Sequence, residues 1–156
     1  FKLAFWLVIL STMVVVFVVD LKFSLIPTSF VYVASLLWLF YVYFASPPAI
    51  FIDNVIAAFG AALFFLFIVL ITFGRGMGQG DIVLAFLIGI VLGVKATFLA
   101  IFLAFLSGAV VSVFLIILCR KRFGNTIPFG PFLVFGFIVS LFWSNLILNY
   151  YFKVLY

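Results

Sequence analysis

Histidine and glutamate are absent from this chain of 156 residues, and cysteine occurs once, as Cys119. Without histidine there is no Ser-His dyad and no imidazole to hold a metal. A zinc protease needs a cluster of His, Cys or carboxylate ligands, and the chain offers one thiol and three acids, Asp20, Asp53 and Asp81. No metal and no cofactor is expected. One cysteine excludes a disulfide within the chain, and Cys119 reads as a small apolar filler near a helix end. Charge is the next scarcity. Only 7% of the residues are charged, against about 25% in soluble domains.

What fills the space is apolar. The chain is 71% hydrophobic, with 25 phenylalanines and a mean hydropathy of +1.62. This is the composition of a polytopic membrane protein whose outer surface faces lipid. Its net charge of +5 is therefore read by position, as membrane topology, and nucleic acid is not an expected partner. The chain opens on Phe1. Its first apolar segment ends in a charged patch without a small-residue cleavage site, so it does not read as a signal peptide. One membrane-embedded domain over 1–156 is expected, with no soluble domain in this chain.

A helix needs about 20 apolar residues to cross the hydrocarbon, and six segments qualify or nearly do. They run Leu3–Val19, Thr28–Ala45 after Pro27, Asp53–Phe73, Asp81–Val94, Ala96–Cys119 and Pro131–Tyr151. Asp53, following the Pro47-Pro48 break, is the expected N-cap of the third. The fold class is thus all-α, a bundle of about six transmembrane helices with short connections and antiparallel neighbours. The fourth segment is short: it rises only about 21 Å at 1.5 Å per residue, against a core of about 30 Å. Before it lies GRGMGQGD, Gly74 to Asp81. Four glycines in eight residues make a poor helix, since each costs about 1 kcal/mol relative to alanine. Irregular backbone at membrane depth is tolerated only where protein covers it or a wet cavity adjoins it. Asp81 is accordingly placed at the rim of a polar cavity.

With six spans the loops alternate sides. One side collects Lys22, Arg75, Arg120, Lys121 and Arg122, and the other Lys2, Lys95 and Lys153. The positive-inside rule makes the first side cytoplasmic. The aromatic belt, Trp6, Trp38, Tyr41, Tyr43, Tyr150, Tyr151 and Tyr156, falls mostly opposite. Asp20 and Asp81 then share the cytoplasmic edge, while Asp53 lies about a bilayer thickness away. The faces agree. Asp81, Ala85, Gly89 and Gly93 form a small-residue stripe, as do Ala100, Ala104, Gly108 and Ser112, and small residues let membrane helices approach closely. Thr12, Val16 and Asp20 share a mildly polar face that can also point inward.

Two carboxyls sharing one proton can hydrolyse a peptide, one acting as base on water and the other donating to the carbonyl oxygen. That chemistry needs neither metal nor histidine. Each acid has a plainer reading as well: Asp20 as an interfacial anchor near Lys22, and Asp81 as a helix N-cap. The glycine run fits neither G-x-G-x-x-G nor a Walker lysine motif. The basic run Arg120–Arg122 reads as a topology signal.

GMGQGD, Gly76 to Asp81, resembles the G-x-G-D motif of the type IV prepilin peptidases, aspartyl membrane proteases also related in motif to presenilin. DLKFSLIP, Asp20 to Pro27, resembles their first aspartate motif, with proline seven residues after the acid. IPFGPF, Ile127 to Phe132, resembles the segment that opens the last helix in bacterial members. The resemblance implies that Asp20 and Asp81 are the catalytic pair, that Gly78 and Gly80 give the backbone freedom that brings Asp81 to its partner, and that Pro27 belongs to the positioning motif. It implies a multi-pass protein of the plasma (inner) membrane that cleaves the short basic leader of prepilins or pseudopilins at the cytoplasmic face. Two departures stand out. Many members carry Lys two residues after the second aspartate, where this chain has Val83. Bifunctional members also carry paired CxxC motifs and an N-methyltransferase activity, which is not expected from this chain. The competing class is a small ion- or proton-coupled transporter or channel subunit, since intramembrane acids also mark ion routes. Against it stand the missing inverted repeat and the common membrane edge of the two acids.

Overall fold

The computed structural model describes residues 2–74, 77–118 and 128–155, with backbone alone at 116, 145 and 147–155. Six helices follow one another: α1 Lys2–Phe23, α2 Thr28–Ala45, α3 Pro48–Ile71, α4 Gln79–Leu92, α5 Val94–Ile117 and α6 Gly130–Leu155. No strand occurs among the described residues. Four helices, α1, α2, α3 and α5, are long and apolar enough to cross a membrane. The protein is an all-α polytopic membrane bundle. Leu3, Leu7, Val14, Phe30, Phe44, Leu63 and Phe98 all point outward, as expected of helices that are apolar all round and meet lipid. The expected end at Cys119, the basic run Arg120–Arg122, and Arg75 and Gly76 of the glycine stretch lie outside the described residues.

Small residues set the interhelical distances. A Cβ on Gly89 of α4 would lie 2.5 Å from the Ala58 Cα and 2.6 Å from the Ala57 carbonyl oxygen of α3. Four residues on, a Cβ on Gly93 would strike the Asp53 carboxylate. The pairings 57/58 with 89 and 53 with 93 run in opposite directions, so α3 and α4 are antiparallel and nearly in backbone contact. The α5–α6 pair is built the same way. A Cβ on Gly136 would strike the Ala100 carbonyl, the Ser140 hydroxyl donates to the Ala96 carbonyl, and Gly108 faces Phe129 and Phe132. These two pairs make the most extensive helix contacts in the bundle. The inward stripes read from the sequence are buried, Thr12, Val16 and Asp20 on α1, Asp81, Ala85, Gly89 and Gly93 along α4 and its end, and Ala100, Ala104 and Gly108 on α5, with Ser112 half-buried.

Several boundaries differ from the sequence reading. Helix α3 starts at Pro48, not at Asp53. Proline fits the first helical position because its missing N–H has no partner there anyway. Asp53 caps another helix instead: its Oδ2 accepts the Val94 N–H of α5 at 3.1 Å. Gly93, at φ 76°, is the single residue that turns α4 into α5. Helix α1 runs past Asp20 to Phe23, carrying Lys22 in its last turn, where a cation suits the helix dipole. Helix α4 is short, as expected, with 14 residues. Trp38 is not a belt residue: it is 4% exposed and packs edge-on to Trp6 at 4.7 Å.

Candidate active site

At the end of the bundle where α1 stops and α2, α4 and α6 begin, a cavity of about 520 Å³ is lined by Asp20 and Asp81, with Ser24, Ile26, Gly78, Gly80 and Phe129 among its walls. Asp53 is at the other end, lining a separate cavity with Trp6, Lys95 and Ser140. The two acids expected to work together thus share one space, and the third does not. Among the described residues no Lys or Arg lines the Asp20–Asp81 cavity. The two carboxyls are near enough for their charges to interact.

Asp20 is in the last turn of α1 and is 4% exposed. The helix ends just beyond it through Ser24, whose N–H donates to the Asp20 carbonyl at 2.8 Å. Ser24 is at φ 52°, left-handed backbone that costs a non-glycine residue roughly 1–2 kcal/mol. The chain leaves through Leu25 and Ile26 to Pro27, the N-cap of α2. Pro27 does not line the cavity. Its carbonyl accepts the Phe30 and Val31 N–H groups at 3.1 and 3.4 Å, so it fixes where α2 starts.

Asp81 is the third residue of α4, and its own N–H bonds the carbonyl of the N-cap residue Gly78 at 3.2 Å. Its Oδ2 reaches back to the Gly78 N–H at 3.1 Å, the acidic half of a capping box. Asp81 is therefore not the N-cap itself. Its other oxygen, Oδ1, is buried and has no hydrogen-bond partner among the described residues. One oxygen is used by the helix, and the other is left over.

Neither Gly78 nor Gly80 has left-handed backbone. Gly78 has φ −78° and ψ 153°, which any residue adopts, and a Cβ there would meet only the Asp81 carboxylate at an ordinary 3.6 Å. Gly80 is helical, and its constraint is steric: a Cβ would lie 2.7 Å from the Ile26 Cβ. Left-handed backbone is found instead at Gly74, φ 71°, where α3 gives way to the glycine stretch. Val83 faces a different groove, beside Tyr32, Ser35 and Phe86, and not the cavity.

Within IPFGPF, the structure gives Gly130 a role that the sequence alone does not reveal. Gly130 is the first residue of α6, and its N–H donates to Asp20 Oδ2 at 2.9 Å. The first N–H groups of a helix have no partner within it and attract anions. A glycine-proline pair opening the last apolar segment was the available signal, but its target lies 110 residues away.

A multi-pass helical bundle with two acids at one cavity defines a class, and comparison with known families specifies it. The chain belongs to the type IV leader peptidase family, whose model matches residues 7–113. It is 32% identical over 147 residues to the prepilin leader peptidase/N-methyltransferase of Bacillus subtilis, covering 94% of this chain and 58% of that protein. The proteins of the same name from Pseudomonas aeruginosa and Legionella pneumophila are 33% and 27% identical, over 85% and 96% of this chain and 47% and 53% of theirs. The chain thus spans about half the length of the curated relatives it matches. No solved structure matches it.

Proposed function

We propose that this chain is a membrane aspartyl endopeptidase that removes the basic leader of a type IV prepilin or pseudopilin at the cytoplasmic face of the inner membrane. The reading rests chiefly on one observation: among the described residues, Asp20 and Asp81 are the only charged ones lining one cavity at one end of the bundle. A carboxylate pair of this kind shares a proton, because like charges at close range resist joint ionisation. One carboxyl then takes a proton from water as the water attacks the scissile carbonyl. The other donates to the carbonyl oxygen, giving a gem-diol; as the C–N bond then breaks, the first carboxyl passes its proton to the departing amine of the mature pilin and the second takes back the hydroxyl proton. Gly80 and Pro27 set the position of the two helix starts around the pair, and Gly78 supplies an N–H that orients Asp81. The names of the relatives, prepilin leader peptidases, support a prepilin as substrate. The absence of basic side chains from the described lining suits a leader rich in Lys and Arg.

The test is cleavage of a prepilin-like substrate, a basic leader followed by an apolar helix, by the full chain in detergent or nanodiscs. Asp20→Asn and Asp81→Asn should each abolish turnover, and the double variant should lose no more than either, because the pair acts as a unit. Asp53→Asn should retain wild-type activity. Normal cleavage by Asp20→Asn or by Asp81→Asn would end this assignment.

A further inference from the structure

We infer that Gly130 is a positioning residue for the reaction, acting through Asp20; this rests on the carboxylate-pair reading above. Asp20 is on α1, yet no polar group of α1 holds its carboxyl. The described hydrogen bond to that carboxyl comes from the opposite end of the chain, from the Gly130 N–H at the start of α6, at 2.9 Å and buried. An N–H donated to a carboxylate is a charge-assisted bond. At a helix start it uses a donor that the helix leaves free.

A second observation concerns the space around that bond. A Cβ built on Gly130 would lie 2.5 Å from Asp20 Oδ2 and 3.2 Å from its carboxyl carbon. A methyl group there would push the Asp20 carboxyl out of the place in which it accepts the N–H. Gly130 thus meets two requirements at once, the donor and the space. The bond engages Oδ2 and leaves Oδ1 outside it, so it also sets which edge of the carboxyl is free. Asp81 is held by the same device on another element, Oδ2 on the Gly78 N–H. The difference is that Gly78 has room for a Cβ and Gly130 does not.

The experiment uses the full chain and the leader-bearing substrate, with kcat, KM and thermal stability measured together. Gly130→Ala keeps the N–H and adds the methyl group. Glycolic acid in place of Gly130, introduced by nonsense suppression, turns the amide into an ester, removing the N–H and adding no Cβ. Gly136→Ala, on the same helix as Gly130, is the structural control, because its methyl group would strike the α5 backbone at Ala100. Gly130→Ala should lower kcat by about 10²-fold, the scale of a catalytic group misplaced by about 1 Å, with KM within about twofold. The ester should lower kcat by about tenfold or more, the scale of one lost hydrogen bond to a charged group. Gly136→Ala should lose stability and keep wild-type kcat per folded molecule.

Wild-type kcat in folded Gly130→Ala, or in the ester, overturns the inference. So does a loss confined to KM, which would make Gly130 part of substrate capture. If Gly130→Ala does not fold, the ester alone decides. An inactive Asp20→Asn beside a fully active ester sinks only this inference, whereas an active Asp20→Asn sinks the carboxylate-pair reading itself.

Discussion

Replacing Gly80 with alanine should displace the start of α4, and Asp81 with it, by a calculable amount. The new methyl carbon would lie 2.7 Å from the Ile26 Cβ and 3.3 Å from its Cγ1 and Cδ1. Ordinary contact begins near 3.4 Å, so the first turn of α4 and the Ile26 leg must part by about 0.7 Å. The atom met is a Cβ, fixed to the backbone, so no rotamer change relieves the overlap. Nor can the Ile26 leg yield easily, because Pro27 locks its own φ and α2 starts at the next residue. Most of the movement therefore falls on α4, and Asp81 is the adjoining residue. Overpacking of this kind costs roughly 1–3 kcal/mol, partly offset by the 0.5–1 kcal/mol that alanine returns in a helix. The protein should fold. Turnover should fall by about 10- to 100-fold, since a misplacement of about 1 Å can cost 10²-fold, with little change in KM. Gly78→Ala should stay near wild type, its methyl group having room. Gly74→Ala, strained at φ 71° but in open space, should lose stability more than turnover. Adding Ile26→Gly to Gly80→Ala removes the atom that is struck and should restore part of kcat. Steady-state kinetics on solubilised substrate would refute the reasoning if Gly80→Ala kept wild-type turnover or lost only affinity.

Three further outcomes are expected. Single cysteines placed near Lys22 and Phe73 in a Cys119→Ser background should label from the cytoplasm, and those near Ala49 and Lys95 from outside; reversed labelling would remove the claim of cytoplasmic cleavage. Asp53→Ala should lower stability by about 1 kcal/mol through loss of a helix cap, seen as a lower melting temperature in detergent, with turnover unchanged. Gly89→Ala should destabilise by roughly 1–3 kcal/mol as an overpacked core does, because it meets the α3 backbone 2.5 Å away; an unchanged melting temperature would show that α3 and α4 separate freely.

The six segments were legible because apolar length alone announces a membrane helix, and the shortness of α4 was plain from counting. The buried stripes were legible because small residues recur with the helical period. Boundaries that depend on partners were not. Asp53 follows two prolines and looks like a local cap, but the N–H it accepts is 41 residues away. Gly78 and Gly80 are alike in sequence, and what separates them is Ile26, which packs on one and not the other. Trp38 reads as an interfacial aromatic by type, and only the packing of α1 on α2 buries it. Gly130 was invisible for the same reason as Asp53. A contact between two ends of a chain leaves no periodicity behind.

The two close-packed pairs, α3 with α4 and α5 with α6, have one more consequence. Asp81 rides on the first pair. The Asp20 carboxyl, although carried by α1, is tied to the second pair through Gly130. Direct packing between α4 and either α5 or α6 is far slighter than packing within each pair. The two carboxyls are therefore held from different close-packed pairs, in each of which glycine has brought two backbones together. Any slide of one pair past the other would move one carboxyl relative to its partner while leaving the packing inside each pair intact.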